Sequence, residues 1–309
     1  MNERVPFVSD RGVRRYRIFN FDFDSRPHTL QEAPGENWSV SAKADWQLGR
    51  DGVIAGIQVE YGERHLEQKV EDFKAFGAKP FSIIAHHNAM FNNVRTAFVS
   101  GAYYAALTAA CALGERILNH LMIDLRDHYK ATPQYKHVFR KGSFAQWTLV
   151  IDTLEVWSVL LPEVTIEFRA LEKLRNRSIH FNADTATQLR SDALSAISHL
   201  TKIIGNQFSA FGMQPWFIEG TAGACFIKQD WETHPFVAHY YCSKNLAVGP
   251  LHSVELTEKH GWHFVDHPDY ITFGLNGLSD DQFKDMFNDH EPSWVARTNR
   301  TDEVPSATS

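Results

Sequence analysis

Residues 171–181 read Leu-Glu-Lys-Leu-Arg-Asn-Arg-Ser-Ile-His-Phe, so that Arg175 is followed at once by Asn176 and, after three more residues, by His180. An imidazole titrates near neutrality, so His180 can serve as general base or general acid. A planar guanidinium matches phosphate oxygens two at a time, which suits Arg175 to stabilise a crowded phosphate. Asn176 can fix an orientation by hydrogen bonding. Arg followed by His at short range is a common pattern in a chain with 16 histidines, and alone it carries little. The adjacent Asn, the apolar anchors Leu171, Leu174 and Ile179, and the position of the segment between a short helix and a long one single it out. The purely structural alternative pairs Arg175 with Glu172 or Glu167 and lets His180 pack a helix junction.

The elements that must position this segment follow from hydrophobic periodicity. From Phe81 to Tyr129 the chain has no Pro and two Gly. Ala97, Gly101, Tyr104, Ala105, Thr108, Cys111, Ala112, Glu115, Leu118 and Leu121 trace one helical stripe, with small residues where a partner helix could approach. Further helices are expected over the run from Trp147 to Leu160, from Pro162 through Leu174, and from Leu189 to Phe208. A helical bundle is therefore expected over residues 81–212. Residues 1–80 read as a β-rich region with one helix. Tyr16 to Phe23 alternates with a slip at Ile18–Phe19, and Trp38 to Trp46 and Val53 to Val59 look like strands set apart by Gly49 and Gly52. Leu66, Val70 and Phe73 mark the helix, with Gly77 after it. Residues 213–309 return to short β-like runs, including Phe236 to Cys242, with one short helix capped by Ser279 and a polar tail. The expected fold class is α+β.

The motif, its neighbouring Asn and the order of helices resemble the HEPN superfamily of small helical bundles, over about residues 85–212. The helix from Ala97 to Asn119 is similar to the first long helix of such domains. The resemblance implies a metal-independent endoribonuclease of toxin or defence type, in which the 2′-hydroxyl of RNA attacks the adjacent phosphate. Arg175 and His180 would be catalytic, with Asn176, Arg177 and Glu115 in support and Arg169 and Lys173 lending the surface local positive charge toward RNA. One motif holds one His, so a homodimer with two motifs in one cleft would supply both acid and base. No cofactor and no metal are implied; an antitoxin or regulatory protein is an implied partner. Where some family toxins carry Tyr two residues after the His, this chain has Asn182, so control through that residue is not expected. The alternative is a non-catalytic HEPN-like module that binds RNA, nucleotide or a protein.

Composition is compatible with either reading. In 309 residues, 43% are hydrophobic and 22% charged, which supports a packed core and excludes wholesale disorder. A net charge of -6 excludes a global nucleic-acid footprint and restricts any RNA contact to a local patch. Cys111, Cys225 and Cys242 lie far apart without a CxxC, as expected of thiols in a reducing compartment. No secretory leader and no membrane-length apolar run is legible, so a cytoplasmic location is expected. His234, His239 and Cys242 have a metal-like spacing but read as alternating strand positions. His86 and His87 are expected to face solvent. Nucleotide-binding glycine loops and a Gly-x-Ser-x-Gly elbow are missing from the sequence.

Overall fold

A computed structural model describes residues 12–18, 24, 26–179, 185–211, 213–257, 261–267, 269–270, 272, 274–275 and 277–290. The chain divides into two compact units: Asn20–Gln214, and Met1–Phe19 together with Pro215–Ser309. Strand β1 (Arg15–Ile18) belongs to the second of these. The division after Gln214 lies within two residues of the expected 212, whereas no division falls at 80: the N-terminal strand joins the C-terminal region, and the next segment joins the helices.

Among the described residues of the unit Asn20–Gln214, the regular elements are all helices. The unit runs α1 (Arg26–Gln31), α2 (Val40–Tyr61), α3 (Leu66–Ala75), α4 (Ala85–Val99), α5 (Tyr103–Leu125), α6 (Tyr135–Val138), α7 (Trp147–Val156), α8 (Pro162–Ile179) and α9 (Thr185–Gln207). Helix α2 corrects the expectation of two strands over residues 38–59. Ser39 caps it by accepting the Ala42 amide at 3.1 Å, and Gly62 at φ 82° ends it. Gly49, Gly52 and Gly56 stand inside the helix with open space around them, each at a cost of about 1 kcal/mol relative to Ala, so glycine did not mark turns here. The single stripe expected from Ala97 to Leu121 is also broken. Gly101 takes φ 79° between α4 and α5, a conformation glycine adopts without strain. Gly101, Tyr104, Ala105, Thr108 and Ala112 lie exposed.

The buried face of α5 keeps Cys111, Leu118 and Leu121 of that stripe and adds Leu107, Ala110, Leu113 and Ile117, all 2% exposed or less. These pack against α4, α7, α8 and α9. At Gly114 a Cβ would lie 2.7 Å from Leu171 Cδ2 and 2.9 Å from Trp147 Cη2, so glycine is what lets α7 and α8 close onto α5. Phe168 and Leu171 of α8, and Ala193, Ile197, Leu200 and Ile204 of α9, complete the core.

In the other unit β1 pairs antiparallel with β2 (Cys225–Phe226) and with β3 (Leu246–Val248), in the order β2-β1-β3. β4 (Ser253–Thr257) and β5 (Gly261–Val265) form a separate antiparallel pair. All four residues of β1 are buried, Arg15 and Arg17 along with Tyr16 and Ile18. Arg15 reaches Asp280 and the Leu278 carbonyl, and Arg17 meets His252. Residues 235–240 form helix α10 (Pro235–Tyr240), not the expected strand, and Pro235 in its first turn is a residue that favours a helix start. Helix α11 (Asp280–Asp289) starts as expected at Ser279, whose side chain and that of Gln282 form a capping box. The fold is mixed α+β. Among the described residues no helix is long and apolar enough to cross a membrane.

Candidate functional site

Arg175 lies in the penultimate turn of α8. Successive residues on a helix turn by about 100°, so Arg175 is about 120–160° around α8 from Arg169 and Lys173. Its contacts are to α5 and to the first residue of α7. There Arg175 Nη2 is 3.1 Å from Glu115 Oε2, and the guanidinium lies 5.6 Å from the centre of the Trp147 ring. The Trp147 indole N–H donates to the same carboxylate oxygen at 3.2 Å. Arg175 Nη1 also donates to Asn176 Oδ1 at 3.3 Å. The partner of Arg175 is thus Glu115, sixty residues upstream in sequence, and neither Glu172 nor Glu167. Glu172 accepts from Thr148, and Glu167 binds His199 and Lys202.

The expected basic surface is largely neutralised. Arg169 bonds Asp152 and Glu155, both at 2.8 Å, and Arg177 pairs with Asp192. Lys173 and Asn176 are exposed. His180 and the residues from Phe181 to Asp184, Asn182 among them, lie outside the described residues. Cys111, close enough to sense the charge of Arg175, is buried, and burial pushes its thiol up to about 11, so it stays protonated at neutral pH.

Glu115 also lines an open cleft of about 500 Å³ with Thr108, Ala112, Arg116, Asn119, His120, Ile123, Gly142 and Ser143. One wall is the exposed side of α5, and the loop before α7 forms the other. Asn119 pins that loop: its Nδ2 donates to the Phe144 carbonyl at 3.1 Å, and its Oδ1 accepts the Phe144 amide at 2.6 Å. The Thr108, Ala112 and Glu115 positions of the expected small-residue stripe therefore line a cleft, where a helix partner was expected.

At His120 the cleft meets the first turn of α4. His86 Nε2 stands 3.1 Å from His120 Nδ1, and the His86 and His87 rings meet edge to face at 4.6 Å. His86 is exposed as expected, but His87 is 1% exposed and stacks edge-on against Phe208, which corrects its expected solvent-facing position. The doublet was visible in the sequence; His120, on another helix, had no local signal. His234, His239 and Cys242 do not form such a group. His239 is exposed on α10 while Cys242 is buried just beyond it.

Neither a family model, nor a curated protein, nor a solved structure matches this chain.

Proposed function

We propose that the helical unit is a HEPN-like endoribonuclease that cleaves RNA without a metal, using Arg175 and His180, as a homodimer. The observation that carries the reading is the setting of Arg175. Its guanidinium is a quarter exposed at the end of α8, oriented by Trp147 and Glu115, next to a cleft that Glu115 lines. A cation held in place before substrate arrives can stabilise the charge of a phosphate in the transition state without reorganising. The sequence places His180 five residues further on, ahead of α9, to move the protons. Asn176 supports the orientation of Arg175, and the exposed Lys173 offers local positive charge.

One observation favours the alternative of a non-catalytic module binding RNA, nucleotide or a protein. Arg169, Arg175 and Arg177 each already hold a carboxylate. A substrate phosphate would have to displace Glu115 from Arg175.

Cleavage of a fluorescent single-stranded RNA decides between them. Arg175→Ala and His180→Ala are each expected to lower the rate by about 100-fold or more with an unchanged circular dichroism spectrum. Wild-type cleavage is expected to survive EDTA. A mixed dimer of wild-type and His180→Ala subunits is expected to lose most of its activity, since one proton-transfer group is gone. Cleavage that stops with chelator and returns with metal would overturn the mechanism, and wild-type protein that binds RNA but leaves it intact would favour the alternative.

A further inference from the structure

We propose that His86, His87 and His120 form a three-histidine site for a divalent transition metal of the zinc type, with an exchangeable position open to solvent. Among the described residues these three each offer a ring nitrogen, and the three atoms lie within 4.8 Å of one another. Two nitrogens bound to zinc at about 2.0–2.1 Å on a tetrahedron stand about 3.3 Å apart. The observed 3.1 Å between His86 Nε2 and His120 Nδ1 is close to that separation. No pair of the three atoms exceeds that separation by more than about 1.5 Å, a gap that a small rotation of the half-buried His120 and exposed His86 rings toward His87 can close.

The position of His87 is set by a second layer of contacts. Its Nδ1 is 3.1 Å from Ser82 Oγ, which also accepts the Ile84 amide at 3.1 Å. With Nδ1–H donating to that hydroxyl, Nε2 carries the lone pair that binds a metal. Ser82 is itself clasped by Asn88, whose Oδ1 accepts the Ser82 amide at 2.8 Å and whose Nδ2 donates to the Ser82 carbonyl at 2.7 Å. The Ile83 amide donates to the Phe208 carbonyl at 2.9 Å, tying the same turn to the end of α9. A buried imidazole on a pinned turn, facing one exposed and one half-buried imidazole, is a fixed ligand completed by two with room to turn. Three imidazoles suit zinc, copper or nickel and leave room for a water. Because His120 also lines the cleft, a water or small anion can reach that position from it.

The site is independent of the ribonuclease reading, and its test does not use RNA. Untagged full-length protein is titrated with Co2+ and followed by visible absorption. The expected result is one equivalent bound, with the strong d–d bands of four-coordinate cobalt, displaced by one equivalent of Zn2+. His86→Ala and His120→Ala, at exposed and half-buried positions, are each expected to weaken binding by about 100-fold, and Ser82→Ala by about 10-fold or more. X-ray absorption of the zinc-loaded wild type gives a measurement that needs no variant, and three imidazoles with one oxygen are expected. Weak six-coordinate bands, fewer than two imidazoles around zinc, or undiminished binding in a His86→Ala/His120→Ala double variant would overturn the proposal.

Discussion

Glu115 holds two donors, the Arg175 guanidinium and the Trp147 indole. The pair is partly exposed, 24% and 37% by side chain, so its own contribution to stability is about 0.5–1 kcal/mol. Its larger effect is on what else Arg175 can bind. Glu115→Gln keeps an oxygen for the indole but removes the charge that competes with phosphate. We expect a nearly unchanged urea midpoint and tighter binding of single-stranded RNA by fluorescence anisotropy, with steeper salt dependence. Unchanged affinity in this variant would mean that Arg175 does not meet phosphate. The pairing itself was hidden from the sequence. In sequence Glu115 is a carboxylate on a helical stripe, and only the crossing of α5 and α8 brings it to Arg175.

At the scale of elements, the crossing of α5 with α7 and α8 depends on Gly114. A methyl group there meets Leu171 and Trp147 at under 3 Å, and both are fully or almost fully buried. Gly114→Ala gains about 1 kcal/mol of helix propensity and loses about 1–3 kcal/mol to overpacking. We expect a net loss of up to about 2 kcal/mol in chemical denaturation. We also expect an altered Trp147 environment in near-ultraviolet circular dichroism, because the indole that must move carries the hydrogen bond to Glu115. A variant as stable as the wild type would show that the helices can separate freely. The long amphipathic helices were legible because burial on one face imposes a 3.6-residue period. Helix α2 was not, since among its residues Ile57 alone is buried and no apolar stripe is required of it. Its start was written at Ser39, and its interior glycines pointed the other way.

For the molecule as a whole, the strand-containing unit holds a built-in acid sensitivity. His252 is 1% exposed; burial pushes its ring down to about 4, and the Arg17 charge beside it acts in the same direction. Arg17 donates to Nε2, so the neutral ring carries its proton on Nδ1, which donates to the Gly249 carbonyl at 2.7 Å. Unfolded, the ring titrates near 6.5 and binds a proton that the folded form refuses. The stability that comes from the neutral ring is therefore complete above about pH 6.5 and declines as pH falls toward 4, by up to about 3 kcal/mol. Urea titrations at pH 7.5 and 5.0, read from the exposure of buried Trp216, are expected to show the lower midpoint at pH 5.0. His252→Phe is expected to be less stable at pH 7.5, having removed an acceptor of Arg17, but to lose most of this pH dependence. Equal slopes in the two proteins would assign the acid sensitivity to other groups.

By itself the sequence determined the mixed fold class, the long helices of the middle block, the capped helix at Ser279 and the Arg-Asn-x-x-x-His segment. Each of these is local: it rests on periodicity, on a capping residue or on spacing within a few turns. Tertiary structure decided the rest, because it depends on which distant residues share a surface. Strand β1 took its partners from more than two hundred residues away, so the N-terminal strand and the C-terminal region became one unit. Arg169, Arg175 and Arg177 were matched to carboxylates from α7, α5 and α9, so the local positive charge expected around the motif is largely neutralised. His120 met His86 and His87 only because α4 and α5, parted by the turn at Gly101, pack side by side along their length. Helical order follows from neighbours in sequence, whereas charge balance and ligand geometry follow from neighbours in space, and for these the packing of the bundle core had the deciding role.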